Sequence, residues 1–373
     1  MKSQLDTTVK LKHDYDLCEY CTGRLISKIV RKKHQIKFSK PSNKKCYICK
    51  NIFDTIDQMV LDIIEKLNDY DFKTFHLGII LKPSLLERDD FIKSKFKIQG
   101  VENLKFKIAK QLEKKISRKT HTIRVFDDPD LFIEANFKDI SCKLRTKPLI
   151  VYGRYNKKIR NISQKQSSCR SCNGIGCHNC EFKGIVSSKT IESSISNFFI
   201  NKFECKQVKI NWIGGEDQLS LVMGNGRPFF AKLMNPKKRN KLLRKTGDLK
   251  DITLSELQKL SVQPKGFVKF KSEVSITVQT KKPISSTHLR KLKTLVNTPI
   301  LNSTGEKKNF TKHIYQIKYK KSGKNQFHLD IIADGGISIK SLIEKSDLTP
   351  NISDLMKNRC RCQQFDFKNI LVC

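Results

Sequence analysis

An α+β fold is what the sequence predicts, and three observations carry that prediction. Apolar residues recur at helical spacing in only a few segments, over 54–68, 102–118 and 187–203. Around them run many short stretches in which apolar and polar residues alternate, among them VSITVQT, IYQIKY and FHLDIIA, the signature of half-buried strands. Finally, eight of the 13 cysteines fall into four Cys-x-x-Cys pairs, Cys18/Cys21, Cys46/Cys49, Cys169/Cys172 and Cys177/Cys180, as in small metal-held modules. A chain of 373 residues has room for two or three such domains.

The elements follow in chain order. Cys18 and Cys21 sit in CEYCTGR, Cys46 and Cys49 in CYICKNIF, with 24 residues between the pairs. Two such pairs supply four thiolates to one tetrahedral ion, with Ile52 and Phe53 placed to pack beneath it. Residues 1–54 therefore read as a zinc module. A helix over 54–68 presents Ile56, Met59, Val60, Ile63, Ile64 and Leu67 on one stripe. FKTFHLGIIL reads as a strand, and Pro83-Ser84 as a turn. A second helix over 102–118 aligns Leu104, Ile108, Leu112 and Ile116. Its lysines read first as a solvated face and second as an RNA contact. TIRVF, LFIEANF and KPLIVYG are short strands, so residues 55–168 form an α+β unit.

The second cysteine cluster, CRSCNGIGCHNC, is compact: four residues separate its pairs, and Gly174 and Gly176 let the backbone fold back. It is expected to hold a second structural Zn²⁺ through Cys169, Cys172, Cys177 and Cys180, as a knuckle over 169–184; iron suits the same donors. The wording also resembles the zinc repeat of DnaJ-type chaperones, which carry several copies where this chain has one. Residues 185–373 form a larger α+β region. SSKTIESSISNFFINKF is a capped helix, followed by strands QVKINWIG, DQLSLVM and RPFFAKL. SSTHLRKLKTLV is a helix with a serine N-cap. The segment 236–250 is an exposed basic connection. Mixed strands and few helices predict a broad, largely antiparallel sheet.

The charge points outward to a partner. Lysines and arginines number 74 against 36 acids, a formal net charge of +38 spread along the chain. Such an excess strains a compact fold by self-repulsion unless phosphates or counterions neutralise it, though a proteome-wide lysine bias would also produce a basic surface. No run of 18 apolar residues exists, so a membrane span is not expected. The N-terminus, MKSQLDTTVKLKHDYD, has no apolar core of a signal peptide, and paired cysteines in a lysine-rich chain suit metal better than disulfides. The expected compartment is the cytoplasm.

The segment that could carry chemistry is WIGGEDQLSLVMGNGRPFF, Trp212 to Phe230. A double glycine sets Glu216-Asp217 on a bend before a strand whose Leu219, Leu221 and Met223 face one way, and Gly224-Asn225-Gly226 turns into RPFF. A surface acidic pair beside a turn is the commoner explanation of such a segment. No Gly-Lys-Ser/Thr follows, so it is not a P-loop.

GGEDQLSLVMGNGRPF resembles the catalytic motif of the archaeal and eukaryotic tRNA pseudouridine synthases that modify the T-loop. The matching positions are Gly214, Glu216, Asp217, Gly224, Gly226, Arg227, Pro228 and Phe229. CEYCTGR and CYICKNIF resemble that family's N-terminal zinc cysteines. LIVYGRYNKKIRNISQ is similar to the segment ending its THUMP-containing domain. DGGISIKSLIEKSDLTPNISDL resembles its C-terminal motif, with Lys340, Pro350 and Asn351 in place. The resemblance implies a THUMP-like RNA-binding domain followed by a pseudouridine-synthase-type catalytic domain over 185–373. It implies Asp217 as the catalytic aspartate and no organic cofactor. Its expected partner is tRNA, gripped at the T-arm and the elbow/acceptor region, with no obligate protein partner. Arg154, Arg160, Arg227 and Lys340 are the candidate RNA contacts.

Four departures stand beside these matches. The family arginines flanking the motif are Gly215 and Leu221 here, its base-packing tyrosine aligns with Val274, and a second tyrosine corresponds to Ser338. Tyr315 or Tyr319 is the candidate substitute. A second reading is a non-catalytic zinc-containing tRNA-binding protein or tRNA-folding factor. A THUMP-containing methyltransferase or sulfur transferase is disfavoured, since no cofactor-binding glycine loop or catalytic Cys-loop motif is present.

Overall fold

The computed structural model describes residues 10–11, 13–26, 45–182, 184–185, 189–264, 266–302, 311–344 and 348–373. Much of the expected zinc module, residues 1–9, 12 and 27–44, lies outside the described residues, as do 187–188 at the start of the expected third helix. The chain divides into two compact units, residues 1–147 with 235–240, and residues 148–234 with 241–373.

In the first unit, helix α1 (Glu19–Leu25) starts directly after Cys18. Helix α2 (Ile56–Leu67) follows, then strand β1 (Thr74–Ile80), helix α3 (Pro83–Lys95), helix α4 (Leu104–Thr120) and strands β2 (Ile123–Arg124), β3 (Leu131–Asn136) and β4 (Ser141–Thr146). The sheet order is β2-β1-β3-β4, with β1 parallel to both neighbours and β3–β4 antiparallel. The α2 and α4 stripes meet each other and the sheet, fully burying Met59, Ile63, Ile108, Leu112 and Ile116. Asn103 fixes the start of α4, its side chain accepting from the Phe106 amide at 2.7 Å. Cys21, Cys46, Cys49, Ile52 and Phe53 belong to this same core, so the cysteine module is continuous with the helix-and-sheet packing.

The expected turn at Pro83 opens α3 instead. Proline lacks the N–H that a first helical position leaves unbonded, so it starts a helix at no cost. The helix carries no clean apolar stripe because one of its inward positions is Asp89, buried among Leu85 and Ile92.

The second unit opens with β5 (Leu149–Lys157), the segment that sequence reading groups with the preceding domain. It pairs with the strands Val222–Met234 and Ile252–Leu260 of the large sheet rather than with β1–β4. The remaining elements are α5 (Ile191–Phe203), β6 (Gln207–Trp212), β7 (Val222–Met234), β8 (Gly247–Leu249), β9 (Ile252–Leu260), β10 (Phe270–Thr280), α6 (Ser286–Lys291), β11 (Leu301–Asn302), β12 (Ile314–Lys321), β13 (Gln326–Asp334), α7 (Ile339–Ile343), β14 (Leu348–Thr349), α8 (Ile352–Met356) and β15 (Cys360–Val372). The main sheet runs β12-β13-β10-β15-β7-β5-β9-β8, with β6 on β7; every pairing is antiparallel except β15–β7. Thr190 and Ser285 cap α5 and α6 as expected, each accepting from a backbone amide in the first turn.

One expectation is corrected at the motif itself. DQLSLVM is not a strand: residues 217–221 form a loop, and β7 begins at Val222. Gly224-Asn225-Gly226 is not a turn between strands but part of β7. The register against β5 jumps from Tyr155↔Arg227 to Lys157↔Val222, so these residues bulge out of one continuous strand.

Candidate active site

The loop that carries Asp217 is possible because position 214 is glycine. Gly214 has φ +79°, and a Cβ there would lie 2.5 Å from the Phe270 ring and 2.7 Å from Arg227 Nη1. From this bend Asp217 emerges a quarter exposed, with a side chain 24% accessible. Oδ1 accepts from the Leu219 amide at 2.9 Å, and Oδ2 accepts from Lys340 Nζ at 2.7 Å. Both carboxylate oxygens are thus held by donors. The Asp217 carbonyl accepts from Ser220 Oγ at 2.8 Å and from Lys157 Nζ at 3.1 Å, which fixes the loop from below.

Beneath the loop is a layer of buried charge. The Lys157 and Glu216 side chains are fully buried, 3.6 Å apart, and Arg227 Nε lies 3.6 Å from the other Glu216 oxygen. The Arg227 guanidinium covers the Phe367 ring at 4.4 Å and donates to the Ile213 carbonyl at 3.2 Å. Tyr155, also buried, accepts from Gln164 Nε2 at 2.9 Å. Burial pushes the Glu216 carboxyl up, against the pull of Arg227 and Lys157. Burial likewise pushes the Lys157 ammonium down, against the pull of Glu216. At Asp217 the balance reverses. Partial burial raises the carboxyl, but the Lys340 ammonium and the Leu219 amide outweigh it and hold it below the usual carboxylate range.

Asp217 and Lys340 line a cavity of about 340 Å³ whose apolar walls are Phe270, Val274, Phe365 and Phe367. This is the small end of the range for ligand sites. Of the residues singled out in the sequence, the structure therefore brings Asp217 and Lys340 together. Arg227 also lines this cavity, although it is fully buried. Arg154 is also buried, its Nη1 donating to the Gly226 and Ile370 carbonyls at 3.0 and 2.9 Å and its Nε to Glu256 at 3.0 Å. The Arg154 donors thus brace strands from within, whereas Arg227 spends only Nη1 on a carbonyl and leaves Nε and Nη2 without a hydrogen-bond partner. Arg160 is part exposed and grips Asp366 with both terminal nitrogens, at 2.7 and 2.8 Å, while also donating to the Leu219 carbonyl. Asp366 in turn accepts from the Leu221 amide at 2.8 Å, so this pair steadies the loop that carries Asp217.

The tyrosine positions resolve in the same way. Val274 lines the cavity, and Ser338 caps α7 at its lip, accepting from the Ser341 amide. Neither Tyr315 nor Tyr319 is among the lining residues; Tyr315 donates to Asp334, which is, at 3.0 Å. The aromatic surface comes from the three phenylalanines.

Sequence reasoning named Glu216 but missed the buried layer around it, Tyr155, Lys157 and Gln164. The available signal was Lys157 itself. It alternates with Val151, Gly153 and Tyr155 on the inward face of β5, where a lysine is buried only with a partner.

Two further constellations match the expected metal ligands. The sulfurs of Cys18, Cys21, Cys46 and Cys49 lie within 4.8 Å of one another, as do those of Cys169, Cys172, Cys177 and Cys180. A tetrahedral ion with Zn–S bonds of about 2.3 Å separates its sulfurs by about 3.8 Å. The Cys18–Cys49 separation is 3.5 Å, Cys169–Cys177 3.9 Å and Cys172–Cys180 3.8 Å, far beyond a disulfide bond. The Gly176 and Gly184 amides each donate to a cysteine sulfur at 3.2 Å, an arrangement that stabilises thiolates. Gly176, at φ +108°, meets the Phe182 carbonyl too closely for any Cβ. The donor sets fit a tetrahedral metal.

Among the described residues no helix is long and apolar enough to cross a membrane. Comparison with known proteins bears on the whole chain. The family described as Pus10, C-terminal, matches residues 150–370, and the archaeal Pus10 THUMP domain matches residues 59–136. The tRNA pseudouridine synthase Pus10 of Nitrosopumilus maritimus is 39% identical over 368 residues, spanning 96% of this chain and 95% of the relative. That of Cenarchaeum symbiosum is 31% identical over 369 residues, spanning 96% and 90%. A solved Cbf5-Nop10-Gar1 complex overlaps 58% of this chain and 58% of its own at 10% identity and a TM-score of 0.30, a likeness too slight to argue from. On the two family matches and the full-length relatives, the chain belongs to the Pus10 family of tRNA pseudouridine synthases.

Proposed function

We propose that this protein isomerises a uridine in the T-loop of tRNA to pseudouridine, with Asp217 as the catalytic carboxylate. The observation that carries the reading is an ionised oxygen, tied to Lys340, on the wall of a cavity sized for one nucleoside. In the reaction the N1–C1′ bond breaks, the base rotates, C5 bonds to C1′, and the proton leaving C5 is balanced by one gained at N1. No atom is gained or lost overall. Asp217 serves either by attacking C1′ or by removing the C2′ proton to give a glycal, and both roles need the carboxylate form that Lys340 favours. The uridine must leave its stack to reach the cavity, where Phe270, Val274, Phe365 and Phe367 offer an apolar bed for the base.

Both cysteine tetrads are assigned structural Zn²⁺ in this reading. Cys18, Cys21, Cys46 and Cys49 would pin α1 to the core of the first unit, and Cys169, Cys172, Cys177 and Cys180 would close the knuckle between β5 and α5. The first unit, with its THUMP match, would bind the T-arm and elbow/acceptor region.

The test is Asp217→Asn assayed on an unmodified tRNA transcript. Pseudouridine mapped in the T-loop should disappear while tRNA affinity stays at the wild-type value. Wild-type protein that binds this transcript but leaves no pseudouridine in the T-loop would overturn the enzymatic reading in favour of tRNA binding or folding.

A further inference from the structure

The second unit contains another cavity, which the uridine reading does not use. It measures about 990 Å³ and is lined by Lys281, Lys282, Lys357, Arg359 and Arg361, with Glu344 and Asp354 as its carboxylates. All five cations are exposed, and among the described residues none makes an ion pair. By contrast, Lys340 and Lys368 in the same unit are each tied to an aspartate. The carboxylates are occupied by the scaffold: Glu344 accepts from the Cys362 amide at 3.2 Å and Asp354 from Asn351 Nδ2 at 2.7 Å. Five free cations against two engaged carboxylates leave an outward positive field.

The cleft is also a fixed shape. Asn358, 6% exposed, donates to the Lys282 carbonyl at 2.9 Å and accepts from the Lys282 amide at 3.0 Å. The Lys281 amide donates to the Arg359 carbonyl at 2.9 Å, and Ser353 Oγ accepts from the Cys360 amide at 3.0 Å. The segment after β10 and the segment entering β15 are therefore clamped together, and their cations project from a rigid floor.

Its position relative to the first cavity gives it meaning. Lys340, at the start of α7, lines the small cavity, and Glu344, the C-cap of the same helix, lines the cleft. They are one turn apart, about 6 Å along the axis. Strand β15 likewise contributes Arg361 to the cleft and Phe365 to the cavity. A nucleotide everted into the small cavity thus has its neighbouring phosphates beside the cleft. We propose that this cleft holds the phosphodiester backbone of the RNA strand adjoining the target uridine. The assignment rests on reading the small cavity as the uridine site.

The test uses the full chain carrying K282A, R359A and R361A together, with filter binding of an unmodified tRNA transcript across a potassium chloride series. Losing three single-strand phosphate contacts should lower the slope of log K against log salt by about 2. A second variant, Lys282→Arg with Arg359→Lys and Arg361→Lys, keeps the charge and should keep the wild-type slope. An unchanged slope in the alanine variant, or an equal loss in the charge-preserving one, overturns the proposal. The result is read on binding alone, whereas Asp217→Asn is read on product with binding intact, so the two readings fail separately.

Discussion

Asp217 and Glu216 are adjacent carboxylates that the fold drives in opposite directions. Glu216 turns inward to Lys157 and Arg227, where burial favours its neutral form; Asp217 turns outward, where Lys340 and the Leu219 amide favour the anion. Two neighbouring carboxyls with separated ionisation can divide their roles, one structural and one chemical. The consequence is a pH dependence set by Lys340. A depressed carboxyl stays ionised as pH falls until its own lowered value is reached, so wild-type kcat/KM should hold its plateau into mildly acid conditions. Lys340→Met removes the stabilising cation, returns the Asp217 carboxyl upward, and should move the acid limb of the kcat/KM profile to higher pH. The measurement is that profile on an unmodified transcript. An acid limb in the same place would show that Lys340 does not tune the carboxylate.

At the scale of elements, the cysteine-bearing start of the chain is bolted to α3 through buried charge. The Arg24 side chain, fully buried at the end of α1, pairs with Asp89 in α3, and Asp89 also meets Lys93 Nζ at 2.8 Å and the Leu104 amide at 3.3 Å. Breaking a buried pair by removing one partner leaves the other charge uncompensated, at a cost of about 3–5 kcal/mol. Asp89→Ala should therefore destabilise the first unit by that amount in urea unfolding followed by circular dichroism. A loss below about 1 kcal/mol, the level of a surface pair, would show that Arg24 finds water instead. This helix also shows where sequence reading stops. α2, α4, β10, β12 and β13 were legible because their inward positions are apolar, so periodicity reports their faces directly. α3 was not, because Asp89 is an inward position that looks like a surface one. The loop after Asp217 misled in the opposite sense: Leu219 and Met223 alternate like core residues yet are about 40% exposed, while Ser220 is buried. The candidate site divides along the same line. The eight cysteines were visible by type and spacing, and Asp217 and Lys340 through the family resemblance of the motifs that contain them. Glu216, Lys157 and Arg227 were not visible as a buried layer, since a charge paired inside the protein has the same letter as one in water.

At the scale of the whole molecule, a net charge of +38 makes salt act in two opposed ways. In the free protein the excess cations repel one another, and most of them lie on the surface, where about 0.1 M salt screens interactions beyond roughly 10 Å. Raising potassium chloride from low values should therefore raise the midpoint of thermal unfolding of the free chain. With tRNA bound, the phosphates already neutralise part of that repulsion, and binding itself stabilises the folded state by about 2.7 kcal/mol when free tRNA is 100 times its Kd. The same salt that shields the free protein releases the RNA, because each neutralised phosphate gives up a condensed counterion that added salt drives back. The complex should consequently unfold at its highest temperature in low salt and lose that advantage as salt rises, so that the two midpoint curves converge from opposite slopes. Differential scanning calorimetry with and without an unmodified tRNA transcript reads both curves in one series. A free-protein midpoint that falls with added salt would mean that local ion pairs such as Arg160–Asp366, rather than collective repulsion, dominate its electrostatics. A complex whose midpoint is independent of salt would mean that tRNA is held mainly by contacts other than phosphate neutralisation.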